Sequence, residues 1–258
     1  MIAQFSLRLI CGMSLMWCLM PRSRVASGFF RIQMLVVLGL SVLAALTLGS
    51  LSGGAQGAAP LLTANVALAI CLSLTAAAFL GSVFWTLERR RAGSIFGFLI
   101  AAASTVLLLF WQPPLGPVWG SAEPLRLMSE VSSASLLGST TAAMLLGHWH
   151  LTAPTMSIEP LKRLTGYLGA AGLIRLILST VGLALARDQI SGNTYWLWLA
   201  LRWSAGIAGP LLVFLMVWRI LKYRNTQAAT GVLFVGVILT FLGEMTGSLL
   251  YRELATPL

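Results

Sequence analysis

Long apolar runs, separated by short polar, proline-rich or glycine-rich breaks, extend over the whole chain. A helix needs about 20 predominantly apolar residues to cross the hydrocarbon core of a bilayer. Eight runs come close to this length, and each predicts one membrane-spanning helix. Numbered as segments 1 to 8, they are 2–20, 29–50, 61–86, 93–111, 127–149, 163–185, 194–219 and 227–250. The pattern predicts an all-α, polytopic transmembrane helical bundle that forms a single integral membrane domain, 1–258.

The composition supports this interpretation, with 58% hydrophobic and only 9% charged residues and a mean hydropathy of +0.88. A soluble domain carries about 25% charged residues, so most of the surface here must face lipid. The breaks are too short to hold a soluble domain, which excludes the water-soluble enzyme classes. Segment 1 is expected to be a retained helix, because Arg22 and Arg24 follow its apolar run, whereas a signal peptide has its basic residues in front.

The net charge of +10 is better explained by orientation in the bilayer than by nucleic-acid binding. Cytoplasmic loops of membrane proteins carry an excess of Lys and Arg. The breaks after segments 2, 4 and 6 hold only two basic residues, Arg126 and Arg187. Those after segments 1, 3, 5 and 7 hold Arg22, Arg24, Arg31, Arg89, Arg90, Arg91, Lys162, Arg163, Arg219, Lys222 and Arg224. This bias predicts a protein of the cell inner (cytoplasmic) membrane with both termini extracytoplasmic, and with the lipid bilayer as its first partner.

Both histidines of the chain, His148 and His150, lie at the end of segment 5 in the stretch LLGHWHLTAP. One helical residue advances about 100°, so the two rings point to opposite sides and cannot hold one metal together. The pair predicts a helix terminus, where histidine interacts with the last carbonyl groups. Proton exchange or lipid headgroup binding is the alternative. A haem held by one histidine, with a methionine or with a second subunit, is a further alternative that the pattern does not favour.

Ionisable residues within the predicted segments are the better functional signal. Charged side chains at membrane depth are costly, and they usually face the bundle interior and pair with one another. The five candidates are Arg8, Glu130, Arg175, Arg202 and Glu244. Counting from the helix ends at about 1.5 Å per residue places Arg175 deepest and the other four in the outer half, on segments 1, 5, 7 and 8. We predict an Arg202–Glu244 pair, with Arg8 or Arg175 near a second carboxylate.

This charge cluster has two interpretations, a structural ion pair that fixes helix register or a polar ligand pocket open to the outer face. Tyr195, Trp196, Trp198 and Trp203 lie close by on segment 7. Flat aromatic walls beside an acid and a guanidinium suit a quinone head group, and they equally suit an anionic or zwitterionic solute.

Small residues mark the segments expected to pack in the interior, because small side chains at four-residue spacing let helix backbones approach closely. They are Ser135, Ser139, Ala143 and Gly147 in segment 5, Ser204, Gly206 and Gly209 before Pro210 in segment 7, and Gly243 and Gly247 in segment 8.

Sequence motifs of catalysis are absent: GxxxxGK[ST], HExxH and GxSxG do not occur. No aspartate lies in a predicted segment, which excludes a paired-aspartate magnesium site within the membrane. Cys11, Cys18 and Cys71 form neither CxxC nor CxxCH, so no zinc site, disulfide framework or attached haem is predicted. We expect no catalytic residue, no metal site and no cofactor of the chain's own.

Three function hypotheses remain. The first is an integral membrane subunit of a larger respiratory, redox or energy-converting complex, with other membrane or peripheral subunits as partners. In helix count, size and outward termini the chain resembles the eight-helix quinol-oxidising anchor subunits of molybdenum reductases, of the polysulfide and dimethyl sulfoxide reductase type. This resemblance is one of architecture over the whole chain, without a matching motif. The second hypothesis is a small secondary transporter or channel with Glu244 as coupling carboxylate. The third is a cofactor-free scaffold or assembly subunit.

Overall fold

The computed structural model of the chain describes residues 1–51, 62–111, 123–153, 156–187 and 193–254. Within these ranges the regular structure is helical. The α-helices are α1 (Ile2–Leu19), α2 (Ser27–Leu51), α3 (Ala64–Thr86), α4 (Arg90–Phe110), α5 (Glu123–Thr152), α6 (Glu159–Ala186), α7 (Asn193–Trp203), α8 (Gly209–Lys222) and α9 (Thr226–Leu254). A short 3₁₀ turn, Arg22–Arg24, precedes α2, and a π-helical turn, Ser204–Ala208, joins α7 to α8.

Each of the eight predicted segments corresponds to a helix, with segment 7 divided into α7, the π-helical turn and α8. Residue 61, the first of segment 3, lies outside the described residues. Among the described residues, seven helices are long and apolar enough to cross a membrane. The 30-residue α5 is not among them, because its middle is rich in serine and threonine. The chain is therefore an all-α, multi-pass membrane protein, as predicted, whereas its orientation and the choice of membrane stay predictions.

Contacts divide the chain into two compact units, Met1–Val118 and Trp119–Leu258, so a single domain also stays a prediction. In the first unit α2 packs against α3, and α1 and α3 pack against α4. Hydroxyl groups lie at two of these contacts. Ser41 Oγ is 2.8 Å from Thr75 Oγ1 between α2 and α3, and Cys11 Sγ is 3.3 Å from Thr105 Oγ1 between α1 and α4.

In the second unit α9 is the central helix, and it packs against α5, α7, α8 and the π-helical turn, while α6 packs against α5 and α8. Glycines allow these close contacts. A Cβ atom at Gly147 of α5 would lie 2.6 Å from Thr230 Oγ1 of α9. A Cβ atom at Gly169 of α6 would lie 2.7 Å from the Phe214 ring of α8. The predicted interior position is confirmed for Ser139, Ala143 and Gly147 of segment 5, Gly206 of segment 7, and Gly243 and Gly247 of segment 8, whereas Ser204 of segment 7 is exposed.

The tightest backbone contact lies between the π-helical turn and α9. A Cβ atom built on Gly243 would lie 1.9 Å from the Cα atom of Gly206. The wide turn closes with the Gly209 N–H donating to the Ser204 carbonyl, five residues back. Pro210 follows at once and has no N–H for the Gly206 carbonyl, which favours a departure from α-helical bonding here. Glycine is therefore required on both sides of this crossing.

The substitution Gly243→Ala is expected to lower the midpoint of thermal unfolding in detergent micelles, because the new methyl group meets backbone atoms of Gly206 and forces the helices apart. Overpacking of this kind costs about 1–3 kcal/mol. Gly231→Ala on the same helix is the matched control, since nothing lies within 4 Å of its Cβ position. Equal midpoints for the two variants would contradict the close crossing.

Candidate functional site

A buried ion pair network in the second unit joins α6, α7 and α9. Arg202 Nη1 lies 2.9 Å and Arg175 Nε 3.2 Å from Glu244 Oε1. The side chains of Arg202 and Glu244 are 0% exposed, and that of Arg175 is 4% exposed. The predicted Arg202–Glu244 pair is confirmed. Together with Ser129 and Ser133 of α5, these three residues are named the Glu244 cluster.

Both carboxylate oxygens of Glu244 accept two hydrogen bonds. Oε1 accepts from Arg175 Nε and Arg202 Nη1. Oε2 accepts from Ser133 Oγ at 2.6 Å and from Arg175 Nη2 at 3.4 Å. An ionised carboxylate offers about four acceptor positions, and these four bonds engage both of its oxygens. Arg175 Nη1 donates in addition to the hydroxyl and the carbonyl oxygen of Ser129.

Glycines beside the Glu244 cluster leave room for the side chain of Arg202. A Cβ atom at Gly206 would lie 2.7 Å from Arg202 Nη1, and one at Gly247 would lie 3.0 Å from Arg202 Nε. The small residues that were expected to bring helices together therefore also enclose the guanidinium group. Its position is fixed by backbone on two sides and by the Glu244 carboxylate on a third.

The expectation that Arg175 lies deeper than the other charges is wrong, because Arg175 contacts Glu244. In the structure Arg175 lies 11 residues before the end of α6, and Glu244 lies 10 residues before the end of α9. Arg202 lies nine residues after the start of α7. Because α9 continues four residues past the end of segment 8, Glu244 lies deeper than the sequence count suggested, and the three groups share one layer.

The other two charged candidates are also buried. Glu130 lies on α5 beside Ser129 of the Glu244 cluster, and Arg8 lies on α1 in the first unit. Their burial agrees with the expectation that charges in these helices turn away from lipid. A gathering of segment 1 with segments 5, 7 and 8 stays a prediction.

An aromatic layer lies next to the Glu244 cluster along the helices. Tyr195, Trp198 and Trp203 are partly buried and pack, with Leu183, against a core of Ala186, Leu199 and Leu250. Leu199 precedes Arg202 by one helical turn, and Leu250 follows Glu244 by six residues. Ala186 follows Arg175 by 11 residues. At about 1.5 Å per residue, the backbones of this core therefore lie roughly 5–16 Å from the cluster, toward the predicted outer ends of the helices. Trp196 is outside this layer and 59% exposed.

The two histidines point to opposite sides of α5, as predicted. His148 is exposed and meets Phe234 edge-to-face, with ring centroids 6.2 Å apart. His150 is buried, with Nδ1 2.9 Å from the Leu146 carbonyl oxygen and Nε2 3.1 Å from the Ser157 carbonyl oxygen. A carbonyl oxygen only accepts, so a ring nitrogen that carries a proton donates to the carbonyl group it faces. His150 thus ties the end of α5 to the connection before α6. Proton exchange, headgroup binding and haem contact stay predictions for both residues.

In the described part of the chain, no three His, Cys, Asp or Glu residues lie close enough together to hold a metal ion. No protein-family model, no curated protein and no solved structure matches this chain. The interpretation of the site therefore depends on its own chemistry.

Two functional contacts escaped the sequence analysis, namely the bonds of Ser129 to Arg175 and of Ser133 to Glu244. The serines flank Glu130 at positions −1 and +3 on α5. Hydroxyl groups within one helical turn of a buried charge were the available signal, because such residues can bond across a helix interface.

The substitution Glu244→Gln is expected to destabilise the protein strongly, since it leaves two buried guanidinium groups without their counter-charge. Breaking a buried ion pair by removing one partner costs about 3–5 kcal/mol. The matched control is Glu159→Gln, which removes the exposed i, i+4 pair with Arg163, a kind of pair worth about 0–1 kcal/mol. Thermal unfolding in detergent measures both, and a small shift for Glu244→Gln would contradict the network.

The substitution His150→Ala is expected to loosen the connection between α5 and α6, because it removes the buried ring that lies between the Leu146 and Ser157 carbonyl groups. The loss amounts to about 1–3 kcal/mol. His148→Ala serves as the control, since that ring is exposed. Thermal unfolding and the rate of tryptic cleavage at Lys162 measure the effect, and equal behaviour of the two variants would rule out the tie.

Proposed function

We propose that this protein is an integral membrane subunit of a larger redox or energy-converting complex in the inner (cytoplasmic) membrane. In this proposal the Glu244 cluster and the adjoining aromatic layer hold the head group of a lipid-soluble quinone. The substrate reaches the site from the lipid phase, and partner subunits supply the electron-transfer cofactors.

The architecture supports a role that depends on partners. Seven helices in the described part of the chain are long and apolar enough to cross a membrane, and the breaks between segments are short. Chemistry in such a chain takes place at membrane depth or is provided by another subunit. A lipid-soluble substrate suits this setting, because it partitions into the same phase as the helices.

The observation that carries the proposal is the buried pair of guanidinium groups next to the aromatic layer. Quinone carbonyl oxygens accept hydrogen bonds, and guanidinium groups are strong donors. The flat quinone ring stacks on aromatic side chains, which Tyr195, Trp198 and Trp203 provide. Ionisable residues at membrane depth are functional candidates by default.

The arrangement of Glu244 favours this proposal over a transporter that uses Glu244 as its coupling carboxylate. A coupling carboxylate needs an acceptor position that a proton or ion can reach. The four donors around Glu244 occupy both of its oxygens. Its role in the proposal is to hold Arg175 and Arg202 in place.

The experiment is purification of the tagged protein from its native membrane in mild detergent, with the quinone content measured by mass spectrometry. The wild type is expected to carry quinone and to co-purify with cofactor-containing redox subunits. Arg202→Lys keeps the charge but loses the planar fork, so its quinone content is expected to fall about tenfold, the effect of about 1.4 kcal/mol. Arg219→Lys, on the exposed face of α8, is the control.

Two other results would overturn the proposal. A quinone-free monomer or dimer that gives Glu244-dependent solute flux in proteoliposomes is the result expected of a transporter. Partners without any redox cofactor, and no quinone, are the result expected of a scaffold with a purely structural ion network. Thermal unfolding of each variant separates a lost ligand from a lost fold.

A further inference from the structure

A serine hydroxyl beside the Glu244 cluster is buried without a hydrogen-bond partner. Ser179 lies on α6, one helical turn beyond Arg175, and is 1% exposed. Its Oγ has no partner among the described residues. The next residue, Thr180, shows the usual behaviour of a helical hydroxyl, since its Oγ1 donates to the Leu176 carbonyl at 2.8 Å. A buried polar group left unpaired costs about 1–3 kcal/mol, so Ser179 calls for an explanation.

An indole N–H on α7 is also buried without a hydrogen-bond partner among the described residues. Trp203 follows Arg202 directly, and its Nε1 is buried without a hydrogen-bond partner in the part of the chain that the structure describes. The indole ring packs in the aromatic layer. Buried tryptophan N–H groups usually find an acceptor. Each of these donors lies on a helix that contributes a guanidinium group to the Glu244 cluster, with Ser179 four residues after Arg175 and Trp203 one residue after Arg202.

The geometry of α6 places Ser179 between the cluster and the aromatic layer. Arg175, Ser179, Gly182 and Ala186 are spaced at i, i+4, i+7 and i+11, which is one face of a helix, and all four are buried. Arg175 at one end of this face binds Glu244, and Ala186 at the other end belongs to the core against which Trp203 packs. Ser179 therefore lies at the level between these two groups.

We propose that Ser179 and Trp203 are the specificity-determining donors of the quinone site, and that their O–H and N–H groups bind carbonyl oxygen of the quinone head. This inference rests on the proposed function and adds the residues that recognise the ligand. The ligand class is a flat, lipid-soluble ring with carbonyl acceptors. A purely hydrocarbon ring lacks the acceptors that these two donors need.

The test is calorimetric titration of the purified protein in lipid nanodiscs with decylubiquinone and, separately, with menadione. Ser179→Ala removes one donor with little change in shape, and Trp203→Phe removes the other donor together with part of the indole ring. Each is expected to weaken binding of the preferred quinone about tenfold. Thr180→Val and Trp196→Phe are the matched controls, because Thr180 and Trp196 are exposed neighbours on the same helices. The controls are expected to keep the wild-type affinity.

Thermal unfolding of the quinone-free protein separates recognition from structure. Ser179→Ala removes a hydroxyl that has no partner, so the midpoint is expected to stay constant or to rise. A clear fall would show that Ser179 has a structural bond, which would overturn the inference. Unchanged quinone affinity in both Ser179→Ala and Trp203→Phe, with weaker binding in Arg202→Lys, would also overturn it while the proposed function stands. Failure of the wild type to bind either quinone would overturn both.

Discussion

A charge buried at membrane depth has to be neutralised by other parts of the same protein, and this constraint organises the second unit. Glu244 on α9 is held by Arg175 from α6, by Arg202 from α7 and by Ser133 from α5. Desolvation of these ions costs several kcal/mol each, and good geometry with additional hydrogen bonds is needed to repay it. The relative positions of four helices are therefore set by one carboxylate.

The small residues of the second unit follow from the same constraint. A guanidinium group is large and planar, and it fits between helices only where side chains are missing. Gly206 and Gly247 provide this space around Arg202, and Gly243 lets the π-helical turn approach α9. Helix packing in membranes uses small residues in general, but here the glycines serve the ion network as well as the helix contact.

The sequence predicted the helices and one ion pair, because both depend on local and strong signals. Apolar runs near membrane length predicted the helical segments. Two opposite charges in segments rich in small residues predicted the Arg202–Glu244 pair. The sequence analysis did not predict that Arg175 and Glu244 lie in one layer. That result depends on where α9 ends, and a sequence pattern locates the ends of helices only approximately. The serine partners on α5 were missed because a hydroxyl group in a helix mostly bonds to its own backbone, so their position beside Glu130 was only a weak signal of an interhelical role.

The polar middle of α5 has a consequence for how the protein is made. This helix is buried over most of its length and packs against α6 and α9, yet it is less apolar than the helices of the described chain that could cross a membrane by length and composition. Both packing partners follow it in the chain, so they leave the ribosome later. We therefore expect the integration of α5 into the bilayer to depend on helices synthesised after it, so that biogenesis of the second unit is cooperative rather than a sequence of independent insertion steps.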